Sequence, residues 1–134
     1  MLAAGVVATP ALATAAGGGV VLGSKSFAFK GAGWGTEKPA KIFNGGDPSG
    51  LVTQIHWKHW GEVVALGQGR NSIFKPKGGY YPHQVTIKLR ASVIGTCGGR
   101  RAYTRLYASE PSRPGGPFGP WRLWSGAKSI CSPR

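Results

Sequence analysis

Glycine and proline interrupt this chain so often that only short secondary-structure elements can form. Its 134 residues include 23 Gly and 10 Pro, which are spread along the whole length. Proline removes a hydrogen bond from a helix interior and glycine lowers helix stability, so long helices are improbable. The glycines show no three-residue period, which argues against a collagen-like rod. A chain of this length is expected to form one domain, built from short elements joined by turns.

Alternating apolar and polar residues predict β-strands in the second half of the chain. In "VTIKLRA", Ile87 and Leu89 point to one side of a strand while Lys88 and Arg90 point to the other. The segments "LVTQIHWKHW" and "RAYTRLYAS" alternate in the same way, and we expect Trp57 in the core. No segment has a helical period. The sequence therefore predicts an all-β domain, a small antiparallel β-sandwich or barrel.

The chain divides into three segments by composition. Residues 1–15 are apolar, uncharged and end in small residues, so we interpret them as the remnant of a signal peptide, the alternative being a disordered tail. Residues 16–50 are rich in Gly and Pro and are expected to form a loosely ordered, flexible N-terminal arm or an added edge hairpin. Residues 51–134 are the predicted all-β domain. The apolar run is too short for a membrane span. From the signal-like N-terminus we expect a secreted protein, and we expect the mature chain to be a monomer.

Two cysteines, Cys97 and Cys131, support export. They lack the CxxC or His/Cys spacing of a zinc site, and in an oxidising compartment they would pair. The alternative is two buried free thiols. A disulfide would close a loop of about 35 residues and stabilise the fold by about 3–4 kcal/mol in the chain-entropy model.

The strongly basic character favours anionic partners. The formal net charge is +13, from 17 Lys and Arg against 4 Asp and Glu. A field of this sign attracts wall polymers, acidic polysaccharide, anionic lipid or, without sequence preference, nucleic acid. The alternative is that the charge only keeps a secreted protein in solution.

Few residues suit catalysis or metal binding. His56 and His59 are three apart, which places them on opposite faces of a strand, so we predict no metal site and no cofactor. Four carboxylates leave few candidates for a glycosidase pair. One enzymatic alternative is a small basic ribonuclease that combines Glu62 with a histidine (His56, His59 or His83) and with Arg90 or Arg105. We assign no catalytic residue.

Binding is the preferred interpretation, since one predicted strand face interleaves cations with aromatic rings. Such a face stacks sugars or nucleotide bases and contacts anions, although Tyr and Arg are also common on solvated strands. Tryptophans occur in two pairs, Trp57 with Trp60 and Trp121 with Trp124. One member of each pair is expected in the core, and the other is a candidate for stacking on a sugar ring. The candidate ligand-binding residues are Trp60, Lys88, Arg90, Arg101, Tyr103, Arg105, Tyr107 and Trp121.

Several segments together carry a resemblance to a family. "IHWKHWG", "ALGQG", "KGGYYPHQVTIKLRA", "GTCGGRRAYTRL" and "SRPGGPFGPWRLWSGAKSIC" resemble small secreted proteins of high-GC Gram-positive bacteria, an uncharacterised family with a W-x-x-W-G segment and a Cys pair. The resemblance spans about residues 50–132. It implies export and a disulfide and transfers no catalytic residue. We therefore expect a non-enzymatic binding module for an anionic or carbohydrate partner at the cell envelope; a structural or protein-interaction domain is a further alternative.

Overall fold

Residues 19–133, described by the computed structural model, confirm the all-β prediction. They form one curled seven-stranded sheet, with two short 3-10 turns (Pro48–Gly50 and Trp124–Gly126) and no α-helix among those residues. The part of the chain interpreted as a signal peptide lies outside the described residues. In chain order the strands are β1 (Val21–Leu22), β2 (Ile42–Phe43), β3 (Leu51–Lys58), β4 (Ala65–Asn71), β5 (Val85–Cys97), β6 (Arg100–Ser109) and β7 (Arg122–Leu123).

The sheet is mainly antiparallel and follows the order β1-β6-β5-β4-β3-β2, with β7 also beside β6. The long strands β3 to β6 pair consecutively, as neighbours in sequence usually do. Short turns join β3 to β4 and β5 to β6, and the longer loop of residues 72–84 joins β4 to β5. One edge of β6 is shared by two short strands. The parallel strand β1 pairs with Ala102 and Tyr103, and the antiparallel strand β7 pairs with Tyr107 and Ala108.

Residues 19–50 connect the two ends of this sheet. At one end, the backbone of Leu22 in β1 hydrogen-bonds with Gly35 and Thr36 at 2.7 and 2.9 Å. At the other end, Ala32 pairs with Phe43 of β2. The segment is thus a packed part of the domain, which corrects the expectation of a loosely ordered arm. Its buried apolar side chains are Val20, Val21, Leu22, Phe27, Ala28, Trp34 and Ile42.

Two glycines of β4 allow the core to pack closely against the sheet. A Cβ on Gly67 would lie 2.9 Å from the indole ring of Trp57, and one on Gly69 would lie 2.8 Å from the Cγ1 of Val52. Both distances are shorter than van der Waals contact. The "ALGQG" segment therefore places its small residues where β3 side chains cross over β4.

A bulge interrupts the even alternation predicted for β3. The pairing of β3 with β4 shifts between Thr53 and His56, and Gln54 between them has a φ of +53°. The buried residues on its two sides, Val52 and Ile55, are consequently three positions apart instead of two. Beyond the bulge the predicted alternation returns, with His56 outside and Trp57 packed against the core.

A second irregularity turns one predicted surface residue inward. In β5, Val93 has a φ of +56°, and its carbonyl accepts a hydrogen bond from the Thr104 hydroxyl of β6 at 2.6 Å. The inward residues of β6 around this kink are Leu106 and Tyr103, again three positions apart. Tyr103 is fully buried, at 0% exposure. Its predicted place on the outer face, beside Arg101 and Tyr107, is therefore corrected.

The predicted disulfide is present and fastens the C-terminal tail to the sheet. Cys97 at the end of β5 is bonded to Cys131, with 5.2 Å between the two Cα atoms. Backbone hydrogen bonds of Ile130 to Thr104 (2.8 Å) and to Ser24 (3.0 Å) hold the tail beside β6. The bridge thus covers a small apolar cluster at the end of the sheet, with Val21 and Ala102 beneath it.

Candidate ligand-binding groove

The outer surface of β3, β4 and β5 carries an open groove of about 710 Å³. Strand alternation produces it, because β4 turns Ala65 and two glycines toward the core and turns its larger side chains outward. The outward side chains that line the groove are Gln54, His56, Lys58, Leu66, Gln68, Arg70, Thr86, Lys88 and Trp121.

The register of the strands arranges these side chains in rows across the sheet. One row runs from Lys58 through Leu66 and Arg90 to Tyr107, which are paired on four consecutive strands. A second row consists of His56, Gln68 and Lys88. Neighbouring members of a row are separated by about 4.8 Å, and the two cations of β5 by about 7 Å along the strand. Cations and hydrogen-bonding groups thus recur across the floor of the groove.

Aromatic rings hold two of the cations in place. The guanidinium carbon of Arg90 lies 4.9 Å from the ring centre of Tyr107 and 4.8 Å from that of Trp121. The ammonium of Lys88 lies 4.2 Å from the ring centre of Phe118. Contacts of a cation with a ring face are attractive and restrict the rotamers of long side chains. The cations are therefore held in position before any ligand arrives.

The loop between β6 and β7 supplies the wall of the groove. It folds back over the outer face, where the Ser109 hydroxyl donates to the carbonyl of Gly119 at 2.6 Å. The Gly119 amide donates to the carbonyl of Glu110 at 3.0 Å, and Pro111 pairs with Phe118. These contacts place Phe118 and Trp121, which are 42% and 38% exposed, above the cations of β5.

The groove is positively charged and its cations have no acidic partners. Its lining includes Lys58, Arg70 and Lys88, with Arg90 beside them, and no Asp or Glu. Within residues 19–133 the one contact between a carboxylate and a basic side chain joins His59 to Glu62 at 3.3 Å, on the exposed loop after β3. Like charges held together without counter-charges attract anions.

A second groove of about 760 Å³ lies beyond Phe118 and contains the most perturbed carboxyl group. Burial raises the pKa of Glu110, and the neighbouring Arg122 partly offsets this effect. Prolines and the rings of Phe74 and Trp124 make up much of the remaining wall. This groove carries one acid and one base and is less basic than the first.

The structure brings four of the eight predicted ligand-binding residues into one place. Lys88 and Trp121 line the groove, and Arg90 and Tyr107 lie beside it, with Arg90 in contact with the rings of both Tyr107 and Trp121. Arg105 is exposed, but it is paired with Ser92 and does not line the groove. Arg101 is exposed beyond the kink, opposite Thr96.

The other two predicted residues belong to the interior. The indole N–H of Trp60 donates to the carbonyl of Val20 at 2.8 Å, and its ring meets those of Trp57 and Tyr103 edge-on at 4.9 and 5.1 Å. Trp60 is half-buried in this cluster and is not an open stacking surface, so the structure corrects this candidate. The tryptophans of the "HWKHW" stretch therefore pack against the core, while His56 and Lys58 line the groove.

Alternation in β4 was the signal for the groove residues that the sequence interpretation missed. In "ALGQGR", small residues alternate with Leu66, Gln68 and Arg70, which marks the latter as an outer face. His56 and Lys58 follow from the same rule after the bulge. Phe118 had no such signal, because it reaches Lys88 from a loop distant in sequence.

The groups named for the ribonuclease alternative do not meet in the groove. His56 is the one imidazole in its lining, while His59 and Glu62 pair on the loop after β3. His83 is exposed in the turn before β5. Within the described part of the chain, no three His, Cys, Asp or Glu side chains are grouped as metal ligands, and no helix is long and apolar enough to span a membrane.

Comparisons with protein-family models, with curated proteins and with solved structures found no match to this chain. The resemblance to small secreted proteins of high-GC Gram-positive bacteria therefore stays a prediction. The all-β class and the disulfide stand on the structure itself.

Proposed function

We propose that this protein is a secreted, non-enzymatic binding module that holds an anionic polysaccharide of the cell envelope in the groove on its outer sheet face. The observation that carries the proposal is the group of cations that lie without acidic partners beside the exposed Trp121. Lys88 and Arg90 are held against aromatic rings, and the groove lining has no carboxylate.

The chemistry of the groove favours an anionic polymer over a neutral sugar. Three of its lining side chains are Lys or Arg and none is a carboxylate, and the other hydrogen-bonding side chains on its floor are His56, two glutamines and Thr86. Trp121 adds an exposed apolar ring of the kind on which sugar rings stack. An open groove across several strands also suits a polymer better than an enclosed small molecule.

The disulfide supports the polysaccharide over nucleic acid as the partner. Disulfides persist in oxidising compartments, where a wall polymer is available to the protein. Nucleic acid would contact the same cations through its phosphates, so it belongs in the test as a competing ligand.

The experiment compares two triple variants with the same change in net charge. Lys58, Lys88 and Arg90 are replaced by Gln in the groove variant, and the exposed Lys75, Lys77 and Arg100 are replaced by Gln in the control. Binding to an acidic polysaccharide, to its neutral counterpart and to an oligonucleotide is measured by calorimetry at several salt concentrations. We expect the groove variant to bind the acidic polysaccharide at least about tenfold more weakly, because an exposed ion contact contributes up to about 1 kcal/mol, three are lost together, and about 1.4 kcal/mol is a factor of ten in affinity.

Equal weakening of both variants would show that net charge alone causes binding and would refute the groove. Tighter binding of the oligonucleotide than of the polysaccharide would refute the proposed ligand. Release of cleaved products from either polymer would identify a hydrolase instead of a binding module.

A further inference from the structure

Arg90 lies at the edge of the groove, and its contacts differ from those of the cations that line it. Its guanidinium contacts two rings from different parts of the chain, Tyr107 on β6 and Trp121 at the end of the β6–β7 loop. Arg70, by contrast, donates hydrogen bonds to the hydroxyl of Thr86 (3.1 Å) and to the carbonyl of Gln84 (2.9 Å). Among residues 19–133, no hydrogen-bond or ion-pair partner engages the Arg90 guanidinium.

The N–H donors of Arg90 are therefore positioned and unused. Contact with an aromatic ring orients a guanidinium without consuming its N–H groups. Arginine presents those donors as a planar fork that matches the two oxygens of a carboxylate. Because Arg90 is half-buried beside two rings, water screens such a contact less than at a fully exposed arginine.

Trp121 lies next to this fork and is 38% exposed. A pyranose ring stacked on its remaining surface would bring a carboxylate carried by that ring toward Arg90. Lys88, about 7 Å away along β5, would then meet the acid of a neighbouring unit.

We infer that Arg90, Tyr107 and Trp121 form a subsite for one uronic acid unit, in which Arg90 holds the carboxylate and Trp121 stacks against the sugar ring. This inference rests on the proposed function and narrows its ligand to a carboxylate-bearing polysaccharide. The other cations of the groove attract the acid groups of neighbouring units as point charges, without the two-point contact that Arg90 makes.

The test uses substitutions that keep the charge. Arg90→Lys retains the cation but removes the planar fork and its ring contacts, and Arg100→Lys makes the same change at an exposed site in the β5–β6 hairpin. The probes are polygalacturonate, its fully methyl-esterified form and dextran sulfate. We expect Arg90→Lys to weaken binding to polygalacturonate by about tenfold and to change binding to dextran sulfate by less than about threefold. Each galacturonate unit offers one carboxylate at a fixed place on its ring, which needs the two-point contact of arginine, whereas the dense sulfates of dextran sulfate can still reach a lysine ammonium as a point charge.

Tryptophan fluorescence supplies a second reading of the subsite. Polygalacturonate should change the emission of the wild-type protein, and the change should be lost in Trp121→Phe. The methyl ester should bind weakly to every variant, and thermal melts should show that Arg90→Lys remains folded.

The outcomes separate the subsite from the proposed function. If Arg90→Lys and Arg100→Lys bind polygalacturonate equally well, or if dextran sulfate binding falls as much as polygalacturonate binding, the uronic acid subsite is refuted while the polyanion groove stands. If the wild-type protein binds none of the acidic polymers, the proposed function itself fails.

Discussion

The hydroxyl of Tyr103 joins the core to the loop that follows β3. It donates a hydrogen bond to the carbonyl of Glu62 at 2.5 Å and accepts one from the amide of Gly61 at 2.9 Å. The ring fills the interior beside Trp60. One side chain thus contributes both apolar packing and two polar contacts that position a loop.

Replacing Tyr103 by Phe should lower the free energy of unfolding by about 1–3 kcal/mol near pH 8, because both hydrogen bonds are lost and the amide of Gly61 is left without its partner. Urea unfolding measures the change. The control is Tyr107→Phe on the same strand, because the Tyr107 hydroxyl makes no hydrogen bond within the described residues. An equal loss of stability in both variants would contradict the role given to the two hydrogen bonds of Tyr103.

The same tyrosine predicts a pH dependence. Burial raises the pKa of Tyr103 above its ordinary value of 10.0, and hydrogen bonding by Gly61 only partly offsets this. Folding thus favours the neutral phenol. The contribution of the neutral Tyr103 to the free energy of unfolding is fully present below pH 10 and is lost as the pH rises through the raised pKa. The difference in unfolding free energy between the wild-type protein and Tyr103→Phe, measured by urea unfolding, should therefore shrink above pH 10. A difference that stays constant would contradict the proposed titration of Tyr103.

At the scale of elements, two residues with positive φ decide which faces the strands present. Gln54 in β3 and Val93 in β5 each shift the inward positions from two to three residues apart. Neither is glycine or asparagine, so the sequence contains no local signal for the irregularity. This is why alternation correctly predicted the outward positions of Lys88, Arg90 and Tyr107 but misplaced Tyr103.

The kink at Val93 should be strained, because a β-branched side chain is unfavourable at a φ of +56°. Val93 is 49% exposed, so its replacement sacrifices little packing. Val93→Asn should raise the free energy of unfolding by about 1 kcal/mol, since Asn tolerates this backbone conformation. Chemical denaturation of Val93→Asn and of the exposed control Val63→Asn would show the difference, and a stabilisation common to both would contradict the strain.

At the scale of the whole molecule, the sheet depends on contacts between distant parts of the chain. Residues 19–50 connect β1 to β2, and the disulfide fastens the tail to the end of β5. The sequence predicted the disulfide from two cysteines. It did not predict the packed N-terminal segment, because dense Gly and Pro signals mark turns without showing what those turns pack against.

Replacing both Cys97 and Cys131 by Ser should destabilise the protein by about 3–4 kcal/mol, because the bridge spans 34 positions and restricts the unfolded chain. Guanidinium unfolding of the oxidised protein and of the double variant measures the loss. The reduced wild-type protein should unfold like the variant. A loss below about 1 kcal/mol would show that the backbone contacts of the tail already hold it without the bridge.

The sequence by itself determined the strand segments, the basic charge, the cysteine pair and the outward positions of the β5 cations. Each of these follows from composition or from the two-residue period of an extended backbone. Only the tertiary structure decided that Tyr103 and Trp60 turn inward, that residues 19–50 connect the sheet edges and that Trp121 meets Arg90. Those outcomes depend on backbone irregularities and on contacts between residues far apart in the chain. The packing of the complete sheet determines both, so a local sequence pattern cannot predict them.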